Sequence, residues 1–349
     1  MRIAVLYGGT SPERDVSLVS GRAVALALAD RGHDVLLVDP AIGDRPVGPA
    51  EAVAAAGIGG EPAPPAAERG AAIEAVTGGA VSSADVVFLT LHGGSGEDGT
   101  VQGLLEMAGK RYTGSGVLAS ALAMDKRAAK AIFEIVGVPT PPWRVIAGAV
   151  PGGGRSHGAP RFPDDLARGS ADEAVADLGG FPVVVKPNDQ GSTVGLTVVG
   201  GPSGLAPAVE LAGSYSTRVL IERYVAGREM TVAVLSDEAL PVVEITPKSG
   251  LYDYEAKYTK GASDYRCPAD VPAETASALA RHARTAFAAL GCRDYARVDF
   301  LLAPGGDPLC LEVNTLPGMT ELSLVPMAAA AAGIGFGELV ERIAELAHR

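Results

Sequence analysis

At 349 residues, 47% of them hydrophobic, the chain has enough apolar material for two or three globular domains. A net charge of −12 and a pI near 4.9 exclude nonspecific attraction to nucleic acid or to an anionic membrane, while a local basic funnel for phosphates stays compatible with both values. Cys267, Cys292 and Cys310 lie far apart without a C-x-x-C pair, so neither a disulfide framework nor a cysteine metal site is expected, and a reducing cytoplasm is.

In chain order, Met1-Arg-Ile-Ala-Val-Leu-Tyr7 runs straight into a buried strand (3–6), with no charged leader and cleavage site. The strand ends in Gly-Gly-Thr-Ser-Pro-Glu-Arg-Asp at 8–15. Helical spacing covers about 16–29, with Arg31-Gly32 as its stop, and 35–38 is a second buried strand. This β-loop-α-β opening belongs to an open parallel α/β sheet, whose ligands gather at the carboxyl ends of strands. Residues 41–80, rich in Ala, Gly and Pro, carry no evident chemistry. A further buried strand at 85–91 ends in His92-Gly-Gly-Ser-Gly-Glu-Asp-Gly99, and a helix begins near Thr100.

Tyr112-Thr-Gly-Ser-Gly116 reads as a domain crossover, and 119–136 as a helix carrying Asp125-Lys126. The Gly/Pro/Arg-rich stretch 148–170 reads as a surface loop. Strands at 181–186 and 196–199 flank the Gly-containing loop 187–195, the layout of a hairpin whose tip covers a ligand. Further strands are expected at 219–222 and 229–235. The apolar stretch 326–340 is too short and broken to span a bilayer, so no membrane partner is expected.

The chemistry concentrates at 297–314. Val298, Phe300 and Leu302, then Leu309, Leu311 and Val313, are apolar and β-prone, and residues 303–308 (Ala-Pro-Gly-Gly-Asp-Pro) form a connection of hairpin length. A hairpin brings Asp299 close to Glu312 and Asn314, which share one strand face, beside Arg297. Carboxylates on apolar strands carry a desolvation cost unless a cation sits between them, and hard oxygen ligands suit Mg²⁺ completed by water and phosphate. The bland reading is a solvated hairpin with surface acids.

Lys186 ends a run of valines beside a Gly-Ser-Thr loop with free N–H groups; such a lysine either snorkels or meets an anion. With Lys126, Lys257 and the acids, it suggests a nucleoside triphosphate site. Glu222 either accepts hydrogen bonds from an adenine or ribose, or is a capping or salt-bridged surface acid. Tyr252-Asp-Tyr-Glu-Ala-Lys-Tyr258, between Gly250 and Gly261, reads as a lid, with an ordinary exposed loop as the alternative. Gly318 offers a turn N–H that, with Arg297, can stabilise an oxyanion. Arg297 thus reads as an oxyanion partner rather than a salt bridge.

Residues 8–17, 91–100, 112–116, 124–126, 185–187, 252–258 and 312–320 together resemble the D-alanine–D-alanine ligase family of the ATP-grasp superfamily, in that family's order and over nearly the whole chain. The resemblance implies a three-domain α/β ATP-grasp fold (1–114, 115–222, 223–349). The activity it implies is ATP-dependent joining of two D-alanines through an acyl phosphate, for peptidoglycan precursors. Lys126, Lys186, Glu222 and Glu229 would bind ATP, and Lys257 would reach the γ-phosphate. Asp299, Glu312 and Asn314 would hold two Mg²⁺, for which Mn²⁺ can substitute. Glu13, linked to Ser192 and Tyr258, would take the first D-alanine's ammonium, with His92 nearby. Arg297 and the Gly318 N–H would form the oxyanion site, and Ser323 with Leu324 would receive the second D-alanine's carboxylate. The family is usually homodimeric. Its members that make D-alanyl-D-lactate replace the lid tyrosine, so Tyr258 favours an amine nucleophile.

Three rival readings are a related amide ligase using another amino acid in specialised metabolism, a catalytically silent nucleotide-binding regulator, and a Rossmann dehydrogenase. The intact acid, arginine and lysine set speaks against the second. Gly8-Gly-Thr lacks G-x-G-x-x-G spacing, which speaks against the third.

Overall fold

The structure, a computed structural model, describes residues 1–54, 70–148, 169–248, 261–320 and 323–349. Among these residues three sheets form. The first is parallel, in the order β2-β1-β3: β1 (Arg2–Leu6), β2 (Asp34–Val38) and β3 (Val86–Leu89). Both faces of β1 and β3 are covered, which is why they read as continuous apolar runs. The helix Arg14–Asp30 crosses between β1 and β2, one residue or two longer at each end than its sequence pattern. Residues 41–80, silent in the sequence, include the helices Pro49–Ala54 and Ala71–Thr77.

The second sheet, antiparallel, runs β4-β7-β5-β6: β4 (Trp143–Ala147), β5 (Val183–Pro187), β6 (Thr197–Val199) and β7 (Arg218–Arg223). The expected hairpin is β5–β6. Val183, Val185, Val219 and Ile221 pack one face against the helices Ala171–Asp177 and Leu205–Tyr215. By the two-residue period of a strand, Val184, Lys186 and Glu222 take the opposite face.

The third sheet contains β8 (Arg228–Leu235), β9 (Glu238–Ala239), β10 (Val243–Pro247), β11 (Ser263–Arg266), β12 (Tyr295–Leu302) and β13 (Pro308–Asn314), in the order β11-β10-β8-β12-β13 with β9 on β8. Val298, Phe300 and Leu302 turn to a core under the helix Ala273–Ala289. Tyr295 turns the other way, into a core continuous with the first sheet, and Asp299 and Leu301 on that same face line an open cleft. One sheet face therefore serves as core at one end and as site at the other.

The apolar late stretch is two helices, Leu324–Ala331 and Phe336–His348, which meet at 105°. Leu339, Val340, Ile343 and Ala344 return to the core of the first sheet, where Glu341 accepts from Arg31 Nε at 2.6 Å. Among the described residues no single helix is long and apolar enough to cross a membrane.

The expected helix 119–136 is instead two, Val117–Met124 and Lys126–Ile135. Asp125 leaves helical geometry (ψ 94°) to cap the second helix through Ala128 N–H, so the local hydrogen bond outcompetes an unbroken helix.

Candidate active site

The second and third sheets face each other across a cleft of about 1250 Å³, open mouth included, a nucleotide-sized space. Lys126, Lys186, Glu222, Glu229, Asp299 and Glu312 all line it. At its inner end Glu222 is 4% exposed, with Lys130 Nζ 2.6 Å from one oxygen and Lys186 Nζ 2.6 Å from the other. Burial alone would raise this carboxyl. The two ammonium groups overcome that and hold it at about 2. The salt-bridged alternative for Glu222 is thus correct in kind but not in place, for the acid is buried within the cleft wall.

Lys130 was not singled out from the sequence. It lies one helical turn beyond Lys126 among Ala129 and Phe133, and a lysine on the apolar face of a helix is the signal that would have found it. It is fully buried and donates to Thr140 Oγ1 at 2.5 Å, which in turn donates to the Cys310 carbonyl. Lys126 reaches the other way, donating to the Gln190 carbonyl at 2.7 Å and lying 3.2 Å from Glu312.

The acid hairpin forms as its spacing requires, with one difference. The β12–β13 register pairs Phe300 with Cys310 but Asp299 with Glu312, so Leu311 is an extra residue in a bulge. Cys310 and Val313, rather than an alternating Leu309, Leu311 and Val313, enter the core. The bulge resets the parity, and Glu312 and Asn314 come to the cleft face opposite Asp299 and Arg297.

Arg297 is salt-bridged in this structure, contrary to the sequence expectation. Its Nε and Nη2 each lie 2.9 Å from Asp299. Two residues apart on one face, the guanidinium folds back onto the carboxylate. Thr231 Oγ1 (2.6 Å) and Asn314 Nδ2 (2.9 Å) also donate to Asp299.

Directly opposed carboxylates repel unless something positive or hydrogen-donating surrounds them, and every contact just described answers that need. Asn314 gives its amide N–H to Asp299, which leaves its carbonyl oxygen for another partner. Two carboxylates and an amide oxygen fit a hard divalent cation. Among the described residues no group of three or more His, Cys, Asp or Glu is arranged to hold a metal by itself.

Towards the first sheet, Ser192 Oγ donates to Glu13, joining positions 179 apart. Ser192 and Thr193 hold φ of 48° and 64°, left-handed values that cost a non-glycine residue energy and often mark functional loops. Gly93 holds φ 68° and ψ 163°, a backbone region that favours glycine, and its missing side chain lets Glu13 Oε2 come close. The loop is tied down at Asn188, whose Oδ1 accepts the Arg127 N–H and whose carbonyl accepts that of Lys126.

His92 is 5% exposed and lies 3.0 Å from the Leu316 carbonyl. Glu97, a second residue that was not singled out, stands 3.7 Å from His92 and shares a small cavity with Lys126, Glu312 and Asn314. Burial pushes its carboxyl up, opposed by the nearby His92 ring. Ser323 stands at the start of the helix Leu324–Ala331, its Oγ accepting the Thr320 N–H at 3.0 Å, and a Cβ on Gly318 would lie 3.1 Å from it. Leu324 is buried in the adjoining core. Lys257 and Tyr258, with the rest of the expected lid, lie outside the described residues, as does most of 148–170.

Two antiparallel sheets closing on a cleft of lysines and acids define the ATP-grasp class of enzymes. Two family models match, "D-ala D-ala ligase N-terminus" over residues 2–115 and "D-ala D-ala ligase C-terminus" over 163–345. The D-alanine–D-alanine ligase of Geobacter sulfurreducens is 44% identical, over 98% of this chain and 92% of that protein. That of Desulforudis audaxviator is 43% identical, over 99% and 98%. Among solved structures, the D-alanine–D-alanine ligase of Bacillus anthracis complexed with ATP matches at TM-score 0.75 and 31% identity, over 99% of this chain and 96% of that one. The VanG D-Ala:D-Ser ligase of Enterococcus faecalis matches at TM-score 0.74 and 28% identity, over 99% and 98%. The chain belongs to the D-alanine–D-alanine ligase family.

Proposed function

We propose that this ATP-dependent D-alanine–D-alanine ligase, which serves peptidoglycan precursor synthesis, assembles its dipeptide along the line from Glu222 to Glu13. One observation carries the assignment. A single cleft brings Lys186, Glu222, Asp299 and Glu312 onto facing sheets, and the Glu13–Ser192 contact extends it to the first sheet.

Lys126, Lys186, Glu222 and Glu229 hold ATP, with Glu222 fixed as a pure acceptor by its two lysines, and Lys257 reaches the γ-phosphate. Asp299, Glu312 and Asn314 would hold two Mg²⁺, for which Mn²⁺ can substitute, and the chemistry such ions would supply there is neutralisation of phosphate charge. Glu13 takes the ammonium of the first D-alanine, within the Ser192 and Tyr258 set, and His92 lies beside that substrate. A carboxylate is a poor electrophile, so the first D-alanine is activated as an acyl phosphate, which the Tyr252-to-Tyr258 lid shields from water. The neutral amine of the second D-alanine, its carboxylate held at Ser323 and Leu324, attacks. Arg297 then leaves Asp299 for the developing oxyanion, which it stabilises together with the Gly318 N–H. Collapse of that intermediate breaks the C–O bond to phosphate, which leaves as inorganic phosphate while the amine gives up a proton.

We also assign domains at 1–114, 115–222 and 223–349, with a sheet centred in each. The helices Val117–Met124 and Lys126–Ile135 pack on the third sheet's core across the second of these limits. The family resemblance supports a cytoplasmic homodimer.

The test is phosphate release by the full chain with ATP and Mg²⁺ against D-alanine, D-serine, D-lactate and L-amino acids, with products weighed by mass spectrometry. D-Alanyl-D-alanine with one phosphate per dipeptide is expected. No ATP turnover with D-alanine would sink the reading in favour of a ligase for another amino acid.

A further inference from the structure

The helix Arg14–Asp30 follows directly on Glu13 and carries Ser20, fully buried, two turns further on. The Ser20 hydroxyl oxygen accepts the Met319 N–H at 3.2 Å and lies 3.3 Å from His92 Nε2. His92 Nδ1 faces the Leu316 carbonyl at 3.0 Å. A carbonyl oxygen only accepts, so the proton sits on Nδ1. On that tautomer Nε2 carries a lone pair and is the acceptor for the Ser20 O–H. Nδ1 also faces Glu97 Oε1, at 3.7 Å. The result is a one-way chain in which Met319 N–H donates to Ser20, Ser20 to His92, and His92 to Leu316.

This chain grips both ends of the four residues Leu316-Pro-Gly-Met319, in which Pro317 has no N–H and Gly318 is the residue between the grips. Leu316 and Met319 are themselves 2% and 1% exposed. The helix that supplies Ser20 has little room to slide, because a Cβ at the next residue, Gly21, would stand 2.4 Å from Tyr7 Cβ. A hydrogen-bond chain in so dry a place has no water to replace a lost partner.

We propose that Ser20 is a positioning residue, whose hydroxyl, relayed through one His92 tautomer, aims the Gly318 N–H at the developing oxyanion. The proposal rests on the reading of Gly318 as an oxyanion donor. Ser20 itself touches no substrate. It ties the Gly318 turn to the helix that starts at Glu13, so both reacting ends of the site are held by one element.

The experiment compares the wild-type chain with Ser20→Ala by dipeptide kinetics and by binding of a phosphinate analogue of D-alanyl-D-alanine, a tetrahedral mimic that reads oxyanion stabilisation. Misaiming one such donor is expected to lower kcat about 10-fold or more and to weaken phosphinate binding in parallel. KM for ATP and affinity for ADP stay within about two-fold, because the nucleotide end is untouched. Ser20→Cys, which keeps the volume and a weak donor, falls between the two and substitutes for the alanine variant if that variant does not fold. Unchanged kcat and phosphinate affinity overturn the proposal. So does an equal loss of ADP and phosphinate affinity, which marks a merely structural role. A wild-type chain that makes dipeptide yet ignores the phosphinate overturns the oxyanion reading beneath it instead.

Discussion

Glu222 at the inner end of the cleft is 4% exposed and held by two lysines at 2.6 Å, whereas Asp299 and Glu312, a sheet away, are 19% and 23% exposed and paired with Arg297 and Lys126. The first arrangement is closed: burial makes the loss of either lysine costly, and the acid stays ionised, an acceptor held in one position. The second is exchangeable. Its cations are long, flexible side chains that can turn to phosphate or oxyanion, leaving the carboxylates for a metal ion without any movement of the strands. The same residue types thus build a fixed recognition element in one place and a changeable one in the other, and solvent access makes the difference.

The largest expected effect breaks the exchangeable end. Arg297→Ala and Glu312→Gln are each expected to lower dipeptide formation by at least about 100-fold with the melting temperature nearly kept, since they remove transition-state and metal contacts rather than core. Near-normal turnover in either would undo the assignment. Next comes the closed end. Lys130→Met leaves two members of a buried triad of three, with an expected stability loss of about 3 kcal/mol by denaturant titration and a raised KM for ATP. A variant as stable as wild type would show that this end is not closed.

Acid titration sharpens the comparison further. The folded Glu222 carboxyl is depressed to about 2, so its contribution to stability is fully present above its ordinary value of about 4.5 and is lost as pH falls towards about 2. The melting-temperature gap between wild type and Glu222→Gln should therefore hold at neutral pH and shrink across that window. A gap that is constant down to pH 2 would contradict the triad. The smallest effect belongs to a surface pair on the helix Phe336–His348, 49% and 40% exposed: Arg342→Ala, which frees Glu338, should cost at most about 0.5 kcal/mol by the same denaturant titration. A larger loss there would mean that exposure is not what separates the two ends.

Much of the fold was legible because its signals are local. The apolar runs of β1 and β3, the helix after Glu13, the hairpin turn at 303–307 and the pairing of Asp299 with Glu312 and Asn314 all follow from period and turn chemistry. Asp125 shows the limit of this approach, since a cap inside an apolar period looks like a helix interior until its hydrogen bond to Ala128 is seen. Leu311 shows another, because a bulge changes which residues face the core while leaving composition untouched. Arg297 was read as free for an oxyanion, and its partner Asp299 proved to be two residues away on the same strand face.

By itself the sequence determined the opening β-α-β order, the hairpins β5–β6 and β12–β13 and the family, since strand period, turn residues and ordered motifs are written in neighbouring positions. Tertiary structure alone decided that Lys130 closes on Glu222 and that Ser20 and His92 grip the Gly318 turn. Those contacts join positions 92 and up to 299 residues apart. Their chemistry depends on burial and on which faces the sheets present to each other, and no local pattern encodes either.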